Sequence, residues 1–232
     1  MEALPCLIFP AFLAIAAAAI VIGIVMGRKR REEMRALAAE LGFQFHENDP
    51  WGLPTRYERF DLFGHGHSKR ASNILHGQVD GTNVVLFDYR YKTGSGKNES
   101  THHYHAAVFS MPIVSPSLRM RGENIFDRVA SWVGHDDIDF ESDEFSRRYH
   151  VKCTDRRFAY DFFHARLIEY LLSCGQVPNL ETGGTLLLVN QSGSGKPDQF
   201  RRLLTVGRGI LQSIPDYVLK DRGTGQLPGG EP

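Results

Sequence analysis

Residues 73–91 read NILHGQVDGTNVVLFDYRY, and this stretch decides the fold class. Two runs of high β propensity, residues 73–79 and 83–91, flank the dipeptide Asp80-Gly81. An Asp-Gly pair in that setting is a strong signal for a tight hairpin turn in which both central residues have positive φ. We therefore predict an antiparallel hairpin. Its second strand carries two alternating sets of side chains, Val84, Leu86, Asp88 and Arg90 against Val85, Phe87, Tyr89 and Tyr91.

Further strands are predicted C-terminal to the hairpin, where apolar and polar residues alternate. A loop at residues 92–100, rich in glycine and serine, leads into a third strand that completes an antiparallel meander. Pro112 and Pro116 are expected to end that strand. The predicted strands are 102–111, 137–141, 148–153 and a last hairpin of 179–181 and 185–190 over Gly183-Gly184.

Helices are predicted where apolar residues recur three and four positions apart. Gly42 and Gly175 each follow such a pattern and suit the position just past a helix end, while Thr154 or Asp155 is the expected N-cap of the longest one. The predicted helices are 28–41, 123–133, 156–174 and 198–213. Together these elements predict an α+β fold, one soluble domain with antiparallel sheet and two or three packed helices.

An uncharged segment precedes this domain. Residues 3–27 contain no charged side chain, and a helix over residues 7–26 is about 30 Å long, the thickness of a bilayer hydrocarbon core. A cleaved signal peptide is the rival interpretation, but it requires basic residues before the apolar core rather than after it. A buried core helix is disfavoured because every face is apolar. We predict a transmembrane helix at residues 7–27.

Five basic residues follow the predicted span: Arg28, Lys29, Arg30, Arg31 and Arg35. Basic residues flanking a span stay on the cytoplasmic side, so we expect the N-terminus outside and the main domain in the cytoplasm of a bacterial inner (plasma) membrane. Such a cluster either marks topology alone or also holds anionic lipid headgroups. The predicted organisation is an external tail at 1–6, the span at 7–27, a juxtamembrane basic helix at 28–42, a cytoplasmic α+β domain at 43–220 and a disordered tail at 221–232.

The overall charge limits the partners. The chain has 27 basic and 27 acidic residues, and this balance argues against a nucleic-acid-binding protein, which needs a basic surplus. Cys6, Cys153 and Cys174 show no CxxC spacing and suit a reducing compartment. The expected partners are the lipid bilayer, anionic headgroups and an unidentified protein.

Four histidines are the basis of an alternative hypothesis, a metal-binding site. His65 and His67 share a face if their segment is extended, as do His103 and His105, so four imidazoles are candidate zinc ligands. No HExxH motif or matching carboxylate spacing accompanies them, and His102 and His103 follow a polar loop. We therefore predict that these four histidines do not converge, and that the chain has no cofactor.

Other motifs are incomplete. Residues 94–97 and 193–196 both read GSGK, but each lacks the first glycine and the final Ser or Thr of a phosphate-binding loop. The acidic run at 135–144 lacks the glycine and the last glutamate of a calcium loop. No complete catalytic motif is present, which favours a non-enzymatic protein.

The chain resembles uncharacterised bacterial single-pass membrane proteins in the order of four features. These are the uncharged span, the basic residues that follow it, the segment ILHGQVDGTNVVLFDYRYKTGSG and the segment DIDFESDEFSRRYHV. The resemblance implies no activity for any residue. Two hypotheses follow. The preferred one is a membrane-tethered binding or scaffold module, with Trp51, Tyr57 and Trp132 as candidate contact residues. The alternative is a metal-dependent enzyme that uses the histidines of residues 65–67 and 102–105.

Overall fold

A computed structural model describes residues 4–122 and 137–224. Within these ranges it describes every side chain except those of residues 4–12 and 16. The fold is α+β, with several helices on an antiparallel sheet, as predicted. The strands are β1 (Gln44–Asn48), β2 (His67–Val79), β3 (Thr82–Thr93), β4 (Ser100–Gly122), β5 (Tyr149–Cys153) and β6 (Asn179–Ser192). The helices are α1 (Leu4–Leu41), α2 (Leu53–Arg56), α3 (Asp61–Gly64), α4 (Asp143–Arg148), α5 (Arg156–Phe162), α6 (Ala165–Ser173), α7 (Pro197–Gln212) and α8 (Asp216–Arg222).

Strand β4 is the centre of the sheet. The strand order is β1-β2-β3-β4-β5, and β6 also pairs with β4. Along β4, the first half pairs with β3 and the last residues pair with β5, while β6 runs beside most of its length. The hairpin β2–β3 is confirmed: Val79 pairs with Thr82, and Asp80 and Gly81 have φ of 51° and 75°.

Two prolines do not end β4 as expected. The strand continues past Pro112 and Pro116 to Gly122. The pairing of β4 with β6 shifts register on both sides of Ser115, so both prolines fall at an irregular part of the ladder. A proline lacks the N–H that a regular ladder requires, and such irregularities are where strands accommodate it.

The hairpin predicted at 179–190 is wrong. Residues 179–192 form the single strand β6, and Gly184, with φ of 61°, lies at its irregular middle rather than in a turn. The strand predicted at 137–141 is also wrong, because residues 137–140 adopt no regular structure and Ile138 N–H donates one hydrogen bond to the Val151 carbonyl (2.9 Å). The strand predicted at 148–153 is confirmed as β5.

The predicted helix 156–174 is two helices. The chain leaves the helical conformation at Phe163 and His164, and the His164 imidazole Nε2 donates to the Ser213 carbonyl (2.7 Å) after α7. This contact spans 49 residues, so no local pattern reveals it. The helix predicted at 123–133 lies outside the described residues. At the C-terminus, Asp221 and Arg222 close α8 rather than begin a tail, and residues 225–232 lie outside the described part of the chain.

The two faces of the sheet bury separate apolar clusters. On one face, α1 and the helices α5 to α8 cover side chains that include Leu86 of β3 and Phe109 of β4. On the other face, the segment with α2 and α3 places Tyr57, Phe60 and Phe63 on Phe87 and its neighbours. The sheet is therefore a middle layer between two layers of helices.

Helix α1 joins the apolar N-terminal segment to the sheet without a break. Its last third buries Met34, Leu37 and Ala38 in the core, and Gly42, with φ of 69°, lets the chain turn into β1. Upstream the same helix leaves apolar side chains more than half exposed: Leu13, Ile15, Ile20, Val21, Ile22, Ile24, Val25 and Met26. Across the described residues, no helix is both long enough and apolar enough to cross a membrane.

We expect Leu37→Ala to destabilise the domain strongly. Leu37 is 1% exposed at the contact of α1 with the sheet, and truncation of a buried leucine costs about 2–5 kcal/mol. The same change at Leu13, which is 54% exposed in the same helix, is the matched control and should cost less than about 0.5 kcal/mol. Urea denaturation of the full chain in mild detergent, monitored by tryptophan fluorescence, measures both. Equal effects of the two substitutions would show that α1 is not docked.

Candidate functional site

A groove of about 520 Å³ lies between α1 and the polar end of the sheet face that α1 covers. We call it the α1 groove. Its wall on the helix side is formed by Gly23, Gly27, Arg30 and Arg31. Gly23, Gly27 and Arg30 are four and three positions apart, so they share one face of the helix, and Arg31 lies at the edge of that face. A Cβ atom placed on Gly23 or Gly27 would meet nothing within 4 Å, so the glycines leave this part of the groove open.

The floor of the groove is a row of cationic and imidazole side chains on three neighbouring strands. Arg70 of β2 pairs directly with Arg90 of β3, and Arg90 pairs with His103 of β4. All three are exposed. Like charges directly opposite each other on a sheet destabilise it. An anion bound over the row would relieve this repulsion.

Arg30 fixes the helix to the floor. Its guanidinium donates to both carboxylate oxygens of Asp88, with Nη2–Oδ1 and Nη2–Oδ2 distances of 2.8 and 3.0 Å and an Nε–Oδ2 distance of 3.1 Å. The Asn73 side-chain amide adds a hydrogen bond to Asp88 Oδ2 (2.9 Å). Arg30 also lies over the Phe200 ring of α7, 5.6 Å from its centroid. Both partners are largely buried, so the pair is geometrically fixed.

The charges around the groove do not balance. Four arginines and two carboxylates line it. Arg30 is paired with Asp88, Arg31 with Glu47 (3.0 Å), and Arg70 donates to the Asn48 side-chain carbonyl (2.9 Å). Within the described part of the chain, the Arg90 guanidinium has no ion pair or hydrogen bond. The arrangement can hold an oxyanion, because guanidinium groups present paired N–H donors to phosphate or carboxylate oxygens.

The predicted basic cluster therefore divides into two groups. Arg30 and Arg31 point into the α1 groove. Arg28 and Lys29 are exposed and do not line it, and Arg35 lies over the Phe45 ring at 5.3 Å. The sequence indicated a uniform cluster, and the helical periodicity separates its members.

The structure does not bring the four candidate histidines together. The His65 imidazole donates to Asp61 (2.8 Å), and His67 donates through Nε2 to the Gly94 carbonyl (3.0 Å). His103 is exposed on the groove floor, whereas His105 is buried and donates through Nδ1 to the Gly193 carbonyl (3.0 Å). Over residues 4–122 and 137–224, no group of three or more His, Cys, Asp or Glu side chains has a geometry that suits a metal ion.

Two of the three candidate aromatic contact residues are described, and they are partly or fully buried. Trp51 is half-buried and packs edge-on against His46 and His76, whose Nε2 atoms are 3.1 Å apart. Tyr57 is 4% exposed in the core under α2. Trp132 lies outside the described residues. Trp51 and Tyr57 thus support the sheet rather than form an exposed patch.

A second polar cluster lies on the opposite sheet face. The Asp61 carboxylate at the start of α3 forms ion pairs with Arg119 and Arg121 of β4 and accepts the hydrogen bond from His65. Glu181 of β6 accepts the Asp61 backbone N–H (2.7 Å). Burial raises the pKa of Asp61, but the hydrogen bond from His65 and the charges of the two arginines outweigh it and leave that pKa lowered. Burial raises the pKa of Glu181.

Sequence reasoning missed both the groove floor and this cluster. The alternation in β3 gave one signal, since Asp88 and Arg90 continue an otherwise apolar face. Their neighbours were not visible, because Arg70 and His103 join the row through strand register. Arg119 and Arg121 were missed because the prolines were expected to end β4 before them.

The chain is thus an α+β protein in which a long N-terminal helix docks on an antiparallel sheet beside a cationic groove. No family model matches it, and no curated protein is similar to it in sequence. Its fold is similar to the crystal structure of the mycobacterial trehalose monomycolate transport factor A, TtfA. The TM-score is 0.58 at 14% identity, over 81% of this chain and 97% of that one. At this identity the similarity establishes the fold alone.

We expect Asp61→Asn to destabilise the fold by about 3–5 kcal/mol, because it removes the carboxylate that forms ion pairs with both Arg119 and Arg121 at a largely buried site. Asp80→Asn is the control, since Asp80 pairs with Arg208 where both side chains are about half exposed, and loss of such a pair costs about 0–1 kcal/mol. Urea denaturation at pH 7 measures both. A loss at Asp61 no larger than at Asp80 would contradict the structural role of the cluster.

His105 should make stability depend on pH. Burial lowers its pKa below the ordinary value of 6.5. The unfolded chain then takes up a proton before the folded one, so this stability contribution is complete above about pH 6.5 and is lost as the pH falls through the lowered pKa. Denaturation at pH 7.5 and pH 5 should show a smaller pH effect in His105→Gln than in the wild type. The exposed neighbour variant His103→Gln should keep the wild-type pH effect, and the reverse order would refute this assignment.

Proposed function

We propose that the protein is a membrane-tethered, non-enzymatic binding module, in which α1 is a single transmembrane helix and the sheet presents a binding surface at the membrane. The observation that carries this proposal is the continuity of α1. One helix, Leu4–Leu41, contains the uncharged residues at one end and the sheet-docked residues at the other. Because α1 is continuous, its docking holds the sheet at a fixed position relative to the medium around the apolar part of the helix.

The exposed apolar side chains of α1 support a membrane position. Eight of them, from Leu13 to Met26, are more than half exposed, and water is an unfavourable surrounding for such a continuous apolar surface. The five basic residues from Arg28 to Arg35 follow directly, and the positive-inside rule then gives an external N-terminus and a cytoplasmic domain. A bacterial inner membrane fits the resemblance to bacterial single-pass proteins.

A binding role is preferred to catalysis. Of the four histidines on which the metal-dependent enzyme depends, three take separate partners and His103 is exposed on the floor of the α1 groove, so no observation favours that alternative. The protein of similar fold is a transport factor, and a binding or scaffold role for this chain is consistent with that. Its partner is then a lipid, or a membrane protein that the domain meets at the bilayer surface.

Membrane fractionation tests the anchor. We expect the full chain to stay in the membrane pellet after alkaline carbonate extraction. The double variant Ile20→Arg and Ile24→Arg should shift to the supernatant, because Ile20 lies close to the centre of the span, where an arginine costs about 2.5–3.5 kcal/mol, and Ile24 adds a second charge one turn further along. The double variant Ile20→Leu and Ile24→Leu is the matched control and should stay in the pellet.

Extraction of the wild-type chain by carbonate would contradict the transmembrane proposal. The orientation has its own test, alkaline phosphatase fused to the C-terminus, which should be inactive when the domain is cytoplasmic. Active fusion enzyme would reverse the proposed orientation and leave the anchor intact.

A further inference from the structure

We propose that the α1 groove binds the phosphate of an anionic phospholipid headgroup. This inference rests on the proposed function, because it uses the membrane position of α1. It goes further by assigning a ligand class to a particular set of residues. The phosphate would lie over the row of Arg70, Arg90 and His103, beside the open helix face of Gly23 and Gly27.

The charge distribution supports an anionic ligand. The groove has four arginines against two carboxylates, and both carboxylates are already engaged by arginines of α1. The excess positive charge therefore lies on the sheet, at Arg70 and Arg90, which are directly paired between β2 and β3. Repulsion between them is unrelieved within the described residues, since no carboxylate forms an ion pair with either side chain there. A phosphate placed between the two guanidinium groups accepts hydrogen bonds from the N–H groups of both.

The shape of the groove supports a headgroup-sized ligand. Its volume of about 520 Å³ exceeds that of an inorganic anion and falls within the range of pockets for small ligands. Two glycines keep the helix wall low, and Ser194 and Tyr104 add hydroxyl groups to the lining. The Arg30–Asp88 pair holds the wall and floor apart at a fixed spacing. The site is therefore formed before the ligand arrives, which lowers the entropic cost of binding.

The position of the groove favours a lipid over a free anion. Gly23 and Gly27 are the two glycines of the uncharged run, and both lie near its C-terminal end, so the groove opens beside the apolar part of α1. A phospholipid with its phosphate in the groove can lay its acyl chains along the exposed side chains of Ile20 and Ile24. A soluble phosphate gains no such contact. We therefore infer that the phosphate belongs to a membrane lipid.

Native mass spectrometry of the full chain in mild detergent tests the proposal. The probes are phosphatidylglycerol and phosphatidylcholine with identical acyl chains. We expect phosphatidylglycerol to bind at least tenfold more tightly, and Arg70→Gln with Arg90→Gln to remove most of this preference. Arg28→Gln with Lys29→Gln is the matched control: it removes the same charge from the same end of the molecule, outside the groove, and should reduce the preference less than twofold.

A second variant tests the groove without altering charge. Gly27→Leu places a side chain in open space on the helix wall and should weaken phosphatidylglycerol binding about tenfold, while Gly27→Ala should have a smaller effect. Unchanged binding in Gly27→Leu would overturn the assignment. So would equal losses in the two charge variants, which would indicate attraction to the general basic surface.

Two further outcomes separate the sources of failure. Glycerol 3-phosphate that binds as tightly as the lipid would identify the groove as a soluble-phosphate site and overturn the lipid assignment. A wild-type chain that resists carbonate extraction but binds both lipids equally well would overturn this inference alone and leave the membrane anchor in place. Extraction by carbonate would instead contradict the proposed function, on which this inference depends.

Discussion

The ion pair between Arg30 and Asp88 is the constraint on which the rest of the structure depends. It lies where the apolar part of α1 ends and the sheet begins, and it joins the two through three charge-assisted hydrogen bonds at a largely buried site. One and two turns further along the helix, Met34 and Leu37 enter the core. The polar pair sets the direction of α1 across the sheet, and the apolar contacts supply most of the stability of that docking.

This geometry creates the groove as a consequence. Because α1 is held by Arg30 above the polar end of one sheet face, the space between Gly23 and the row of Arg70 and Arg90 stays open. The opposite face carries a polar cluster around Asp61, in which the carboxylate forms ion pairs with Arg119 and Arg121. The two clusters have similar side chains and different roles. The cluster around Asp61 ties α3 to the sheet, whereas the two carboxylates of the groove pair with Arg30 and Arg31 and leave Arg70 and Arg90 without an ion pair among the described residues.

Local chemistry determined which elements were predictable. The turn at Asp80-Gly81 and the alternation in β3 depend on neighbouring residues, and both were predicted correctly. The length of β4, the break at His164 and the single strand β6 depend on contacts between residues far apart in the chain, and the predictions there were wrong. The basic residues of α1 were identified from the sequence. Which of these basic residues face the groove and which face solvent depends on the direction in which each points from the helix. That Arg70 and Arg90 join them depends on the register of the strands.

The docking of α1 is the central claim, and hydrogen–deuterium exchange of the full chain in lipid nanodiscs tests it most directly. Backbone amides of residues 30–41 should exchange as slowly as those of β3, because both belong to one cooperative unit. Weakening of this protection in Asp88→Asn, with β3 itself still protected, would match the role of the ion pair. Exchange of residues 30–41 within seconds in the wild-type chain, as in a free linker, would contradict the account.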